Sequence, residues 1–169
     1  MNRPRPTSGF ALFLEKLMSG GRKAEQAIAE IKAEITSPTD GSRVPYRVAC
    51  EGTHAGVAEN MELWLIVYCA NVLEGSDAEG ADPIAVFYPQ ASPILRLPGG
   101  LWHSAISVGP SERESMGKTY DILLIATPRG ATRQITKYNQ EASARGKWSG
   151  MLRLPTGAAV LDTITVTRN

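Results

Sequence analysis

The chain predicts a mainly β protein, an antiparallel β-sandwich with N-terminal helices and one helical insert before its last strand. Three observations carry that expectation. Short segments alternate apolar and polar residues, as half-buried strands do. These segments close on Pro or Gly, as at Pro89 after Ile84–Tyr88 and at Gly109 after the Trp102 run. Helical spacing is confined to the region before residue 35 and to one stretch near residues 132–144.

Taken in order, residues 1–8 are rich in Pro and Arg and predict a loose start. Ser8 is a candidate N-cap for a short helix over Phe10 to Met18, which Gly20-Gly21 then breaks. A second helix is expected from about Arg22 to Glu34, with Ala24, Ala27, Ile28, Ile31 and Ile35 on one face. Pro38-Thr-Asp-Gly41 predicts a turn, since Pro presets φ, Asp caps and Gly supplies positive φ. The chain thus divides into a helical tether over 1–34 and a sandwich over 35–169.

Within the sandwich, Tyr46, Val48 and Cys50 alternate with Arg47, Ala49 and Glu51. Leu63 to Val72 is the most apolar run and predicts a central strand. Residues 74–82 are acidic and Gly-containing, a solvated loop. Trp102, Ile106 and Val108 share one face of the next strand, and His103, Ala105 and Ser107 the other. Tyr120 to Ala126 is another core strand. Ala131, Ile135, Tyr138 and Ala142 then predict a helix over 132–144, with Thr132 as cap and Gly146 as stop. The last strand, Ala159 to Arg168, sets Val160, Ile164 and Val166 against Thr163, Thr165 and Thr167.

A chain of 169 residues is one domain plus an appendage, and its 43% apolar and 21% charged content is that of an ordinary globular protein. A net charge of +1 gives no overall field toward nucleic acid or anionic membrane. Charge is nevertheless uneven. Residues 128–154 hold Arg129, Arg133, Lys137, Arg145, Lys147 and Arg153 against Glu141 alone. Two cysteines, Cys50 and Cys69, are few for a secreted disulfide framework. Glu15 and Lys16 interrupt the apolar run Phe10-Ala-Leu-Phe-Leu14 too early for a signal peptide, and no stretch approaches the roughly 20 apolar residues of a membrane span. A cytoplasmic protein with reduced thiols is the expectation.

The β-region is similar to the immunoglobulin-like or fibronectin type III-like sandwiches appended to prokaryotic multidomain proteins. The similarity runs over residues 35–128 and the last strand. It rests on Ser37-Pro-Thr-Asp-Gly41, Gly52, Leu63-Trp-Leu-Ile-Val67, Tyr88-Pro-Gln90, Gly100-Leu-Trp102, Val108-Gly109 and Val160 to Arg168. The resemblance implies non-catalytic work as a spacer, a ligand-binding module or a protein-contact accessory domain. Two departures stand out. Cys50 and Cys69 fall in the second and third strands, not the second and sixth that carry the antibody-type disulfide. The helical additions also lie outside the simple fold.

Candidate chemistry is sparse. Cys50, His54, Cys69 and His103 lack the paired short spacings of a zinc site, so no metal or cofactor is expected. His103 and Ser104 are strand neighbours and point to opposite faces, and no Gly-x-Ser-x-Gly elbow is present. Glu112 and Glu114 suit a solvated loop. The chain is therefore expected not to be an enzyme. The leading expectation is an interaction or assembly module, binding a protein partner or its own copies through Phe10, Phe13, Leu14, Leu17, Met18, Ile28 and Ile31. Arg3 and Arg5 add peripheral membrane contact as a lesser role for that stripe. The alternative is a module for nucleic acid or lipid headgroups, using Arg129, Arg133, Lys137, Arg145 and Lys147 with Tyr138 and Trp148.

Overall fold

The computed structural model describes residues 28–72 and 84–169. The strands are β1 (Lys32–Ser37), β2 (Arg43–Val44), β3 (Arg47–Ala55), β4 (Met61–Val72), β5 (Ile84–Pro89), β6 (Leu95–Leu97), β7 (Leu101–Ser107), β8 (Thr119–Pro128) and β9 (Ala159–Arg168). The helix α1 (Arg129–Arg145) lies between β8 and β9. The protein is mainly β. One sheet has the order β1-β3-β7-β6 and the other β2-β9-β8-β4-β5. Neighbouring strands are antiparallel except β2, which runs parallel to β9.

Period-two alternation decides what each strand buries. In β3, Val48, Cys50 and Gly52 are buried while Arg47, Ala49 and Glu51 face water. In β7, Trp102 and Ile106 are buried, and His103 and Ala105 are exposed. One apolar cluster draws on both sheets. It joins Ile35, Val48, Cys50, Trp102 and Ile106 to Leu63, Leu65, Val67, Ile122, Leu124, Ile164 and Val166. Trp102 lies opposite Gly52 in register, and its indole N–H donates to the Thr53 carbonyl at 3.1 Å.

The second sheet buries its other face as well. Trp64, Ile66, Tyr68, Phe87, Leu123 and Ile125 form a separate cluster with Ile135 of α1 and Leu154 beyond it. This is why β4 and β8 read as nearly continuous apolar runs. Asp162 links the sheets at their edges, its carboxylate accepting the Ile35 N–H of β1 at 2.8 Å.

Two buried protons add to the alkaline sensitivity of this core. Burial pushes the Cys50 thiol from 9.0 up to about 12. Burial, with Cys69 nearby and Arg168 opposing, raises the Tyr120 phenol from 10.0 to about 12. The fold therefore retains protons that the unfolded chain releases. Their stabilisation is full below about pH 9 and is lost as pH climbs toward 12. The urea midpoint should fall between about pH 8 and pH 10.5, and Cys50→Val should remove part of that slope. A flat midpoint across the range contradicts this account.

The structure corrects several expectations. The helix expected to reach Glu34 gives way to β1 at Lys32, so the boundary at 34/35 cuts a strand. Ile28, Ile31 and Ile35 fit helical spacing, but Ile31, Ala33 and Ile35 equally fit alternation, and pairing of β1 with β3 settles the choice. The first helix and residues 22–27 of the second lie outside the described residues, as does the 74–82 loop. Helix α1 starts at Arg129 with Pro128 at its N-cap, and Thr132 instead shares a hydroxyl hydrogen bond with Thr127 at 2.8 Å. Gly146 ends it in the left-handed conformation, as expected. Val160 does not share a face with Ile164 and Val166. The register shifts between Leu124 and Ile125, so Val160 joins the helix-side cluster and Leu161 the inter-sheet one.

Candidate interaction surfaces

Among the described residues, no element packs on the outer face of the β1-β3-β7-β6 sheet. Register places Glu51, His103 and Leu95 in one row and Thr53, Leu101 and Leu97 in the next. Leu95 is 60% exposed and Leu101 51%. His103 stands on this outer face, whereas Cys50 lies in the core, so the imagined zinc ligands are not brought together. Among the described residues no group of three His, Cys, Asp or Glu side chains gathers to hold an ion. Both thiols are free. His54 has a buried Nε2, and burial followed by the Arg96 charge lowers its pKa.

The expected partner stripe divides. Phe10, Phe13, Leu14, Leu17 and Met18 lie outside the described residues. Ile31 is buried in the inter-sheet cluster and Ile28 packs against it, so these two serve the chain's own core.

The basic segment also divides. Arg129, Arg133, Lys137, Arg145 and Lys147 are all exposed. The buried stripe Ala131, Ile135, Asn139 and Ala142 fixes α1 on the sheet and turns the cations outward. Positions four apart drift by about 40° around a helix, so Arg145 lies well round from Arg129. At the start of α1, Arg129 and Arg133 line a shallow pocket with Glu59, Asn60 and Glu62, where opposite charges meet. Lys137 pairs with Glu141 at 3.8 Å. At the far end, Arg145 and Lys147 follow Glu141, which lies one turn before Arg145, and no further acid occurs until Asp162.

Beyond that end the chain folds back. Gly146 and Lys147 donate to the carbonyls of Ser143 and Ala142. The Gly150 N–H donates to the Tyr138 hydroxyl at 2.8 Å, and Tyr138 meets Trp148 edge-on with centroids 6.2 Å apart. Met151 exchanges two backbone hydrogen bonds with Phe87 at the edge of β5. Gly150 makes this return feasible, because a Cβ there would strike the Val86 side chain and the backbone has φ +76°. The return leaves Trp148 49% and Leu152 68% exposed. Leu152 escaped sequence reasoning, since a single leucine in a loop carries no periodic signal.

A third feature is a buried cation at the end of β9. Arg168 is 3% exposed. Its Nε donates to the Ser115 hydroxyl at 3.0 Å, Nη1 to the Val44 carbonyl at 2.9 Å and Nη2 to the Glu112 carbonyl at 3.3 Å. The guanidinium carbon also sits 5.5 Å from the centre of the Tyr46 ring. Arg168 thereby clamps the 111–118 loop to β2, a structural role. No protein-family model matches the chain, and no curated protein matches it either.

Proposed function

We propose that this protein is a non-catalytic interaction and assembly module: an immunoglobulin-like β-sandwich tethered through its N-terminal segment to a protein partner or to copies of itself. The strand order is the observation that carries the reading. With β1, β3, β4, β5, β6, β7, β8 and β9 lettered A, B, C, C′, D, E, F and G, the sheets read A-B-E-D and G-F-C-C′. Immunoglobulin domains group their strands in a similar way, with C′ as the variable-type addition, which supports the reading. Tyr120 supports it too. It is buried near the start of β8 with its hydroxyl over Gly109, where such domains keep a tyrosine corner. Ile122 stands two residues later, in place of the second disulfide cysteine. A sandwich of this kind is a rigid body that presents surfaces.

The assembly reading is tested by light scattering after size exclusion on the full chain and on Phe13→Asp/Leu17→Asp. The expected result is an oligomer that falls to monomer mass in the double variant. A monomeric wild type, or an oligomer indifferent to both substitutions, removes self-assembly through this stripe.

A second reading is favoured by the outward cations of α1 and the Tyr138–Trp148 pair: binding of an anionic ligand, with the salt dependence that counterion release brings.

A further inference from the structure

We propose that the return from Arg145 to Arg153 is a docking surface for an anionic phospholipid bilayer. Trp148 and Leu152 enter the interface, and Arg145, Lys147 and Arg153 meet the headgroups. This rests on the anionic-ligand reading and narrows it to one end of α1.

Four observations converge there. Leu152 and Trp148 are two of the five large apolar side chains exposed among the described residues, and they lie four positions apart on one short segment. Arg145, Lys147 and Arg153 flank them, and no acidic residue occurs between Glu141 and Asp162. The pair is held on a stiff base. Tyr138 meets Trp148 edge-on, its hydroxyl accepts from the Gly150 N–H, and Met151 exchanges two backbone hydrogen bonds with Phe87 of β5. Of the other cations of α1, Lys137 lies 3.8 Å from Glu141, and Arg129 and Arg133 line a pocket together with Glu59 and Glu62.

The chemistry favours a bilayer over nucleic acid. Single-stranded nucleic acid is gripped by successive aromatic platforms along a basic groove. Here the more exposed residue is aliphatic, at 68%, and cannot stack on a base. Leucine beside tryptophan, ringed by Arg and Lys, suits the boundary between acyl chains and charged headgroups. Neither signal suffices alone. A small apolar wedge binds marginally, and three cations at an anionic surface add a modest, salt-screened attraction. Together they give weak, salt-sensitive and reversible attachment.

The test uses the full chain with vesicles of phosphatidylcholine alone or with roughly a third phosphatidylserine. Co-sedimentation only with the anionic vesicles is expected, falling several-fold between about 0.1 and 0.5 M salt. Trp64 and Trp102 are each 1% exposed, so a blue shift on binding reports Trp148. Trp148→Ser/Leu152→Ser should lower partitioning about tenfold or more at unchanged circular dichroism. Arg145→Gln/Arg153→Gln should lower it several-fold. Partitioning unchanged in the Trp148/Leu152 variant assigns any membrane contact elsewhere in the chain and overturns the proposal. Binding of a single-stranded oligonucleotide with vesicles ignored also overturns it, while leaving the anionic-ligand reading intact. Indifference to both vesicles and oligonucleotide ends both.

Discussion

Gly52→Ala should cost about 3 kcal/mol of stability, a large effect for one methyl group. The added Cβ would occupy space held by the Glu34 carbonyl of β1 and by the indole of Trp102. The carbonyl belongs to the paired backbone of β1 and β3 and has little room to retreat. The indole is locked by its hydrogen bond to Thr53 and is 1% exposed. Either the β1 pairing opens or the largest side chain of the first sheet leaves the core. A urea titration followed by tryptophan emission reads both, as a lowered midpoint and a red-shifted native spectrum. Gly130→Ala is the matching control. Nothing lies within 4 Å of its Cβ position in the first turn of α1, so the substitution should stabilise by about 0.5 kcal/mol. Equal effects at the two positions would refute the account of Gly52.

Arg168→Met should cost a similar amount, about 3 kcal/mol. An apolar side chain of comparable length often replaces a buried ion pair without loss, because both charges go together. Arg168 is different. Its acceptors are the Val44 and Glu112 carbonyls and the Ser115 hydroxyl, and Val44 and Ser115 are themselves buried. Methionine would leave the buried Ser115 hydroxyl without a donor and the Val44 carbonyl with the Asn169 N–H alone. Arg168→Lys keeps the charge but not the fork, and should recover less than half of the loss. Amide exchange at Gly117 and Asn169, whose N–H groups donate to the Arg168 and Val44 carbonyls, should quicken in both variants. A midpoint within about 0.5 kcal/mol of the wild type for Arg168→Met would mean that water replaces the guanidinium at no cost.

How far the sequence spoke differs from element to element. The Trp102 strand was legible because its faces are chemically distinct: Trp102 and Ile106 against His103 and Ala105. The body and stop of α1 were legible from Ala131, Ile135, Ala142 and Gly146. Where two periods share the same residues, legibility ended. Ile31, Ala33 and Ile35 satisfy a strand as well as a helix, and the partner strand that decides lies some 20 positions away. β2 and β6 span two and three residues, too few to show any period. The fate of Val160 turned on one extra residue in β9, which only the pairing with β8 reveals. At the candidate surfaces, the cations of α1 were plain, but their division was not. Glu59 and Glu62 approach Arg129 and Arg133 only through the fold. Arg168 resembled a solvated terminal residue because its acceptors are mostly backbone carbonyls, which every residue has.

The parallel pairing of β2 with β9 has a mechanical meaning. Tension drawn across these two strands from the chain's opposite ends pulls them past each other lengthwise. The Gly41–Thr165, Ser42–Thr167 and Val44–Asn169 backbone bonds then resist together in shear rather than yielding one at a time. The Arg168 guanidinium on the Val44 carbonyl adds a further rung along the same line.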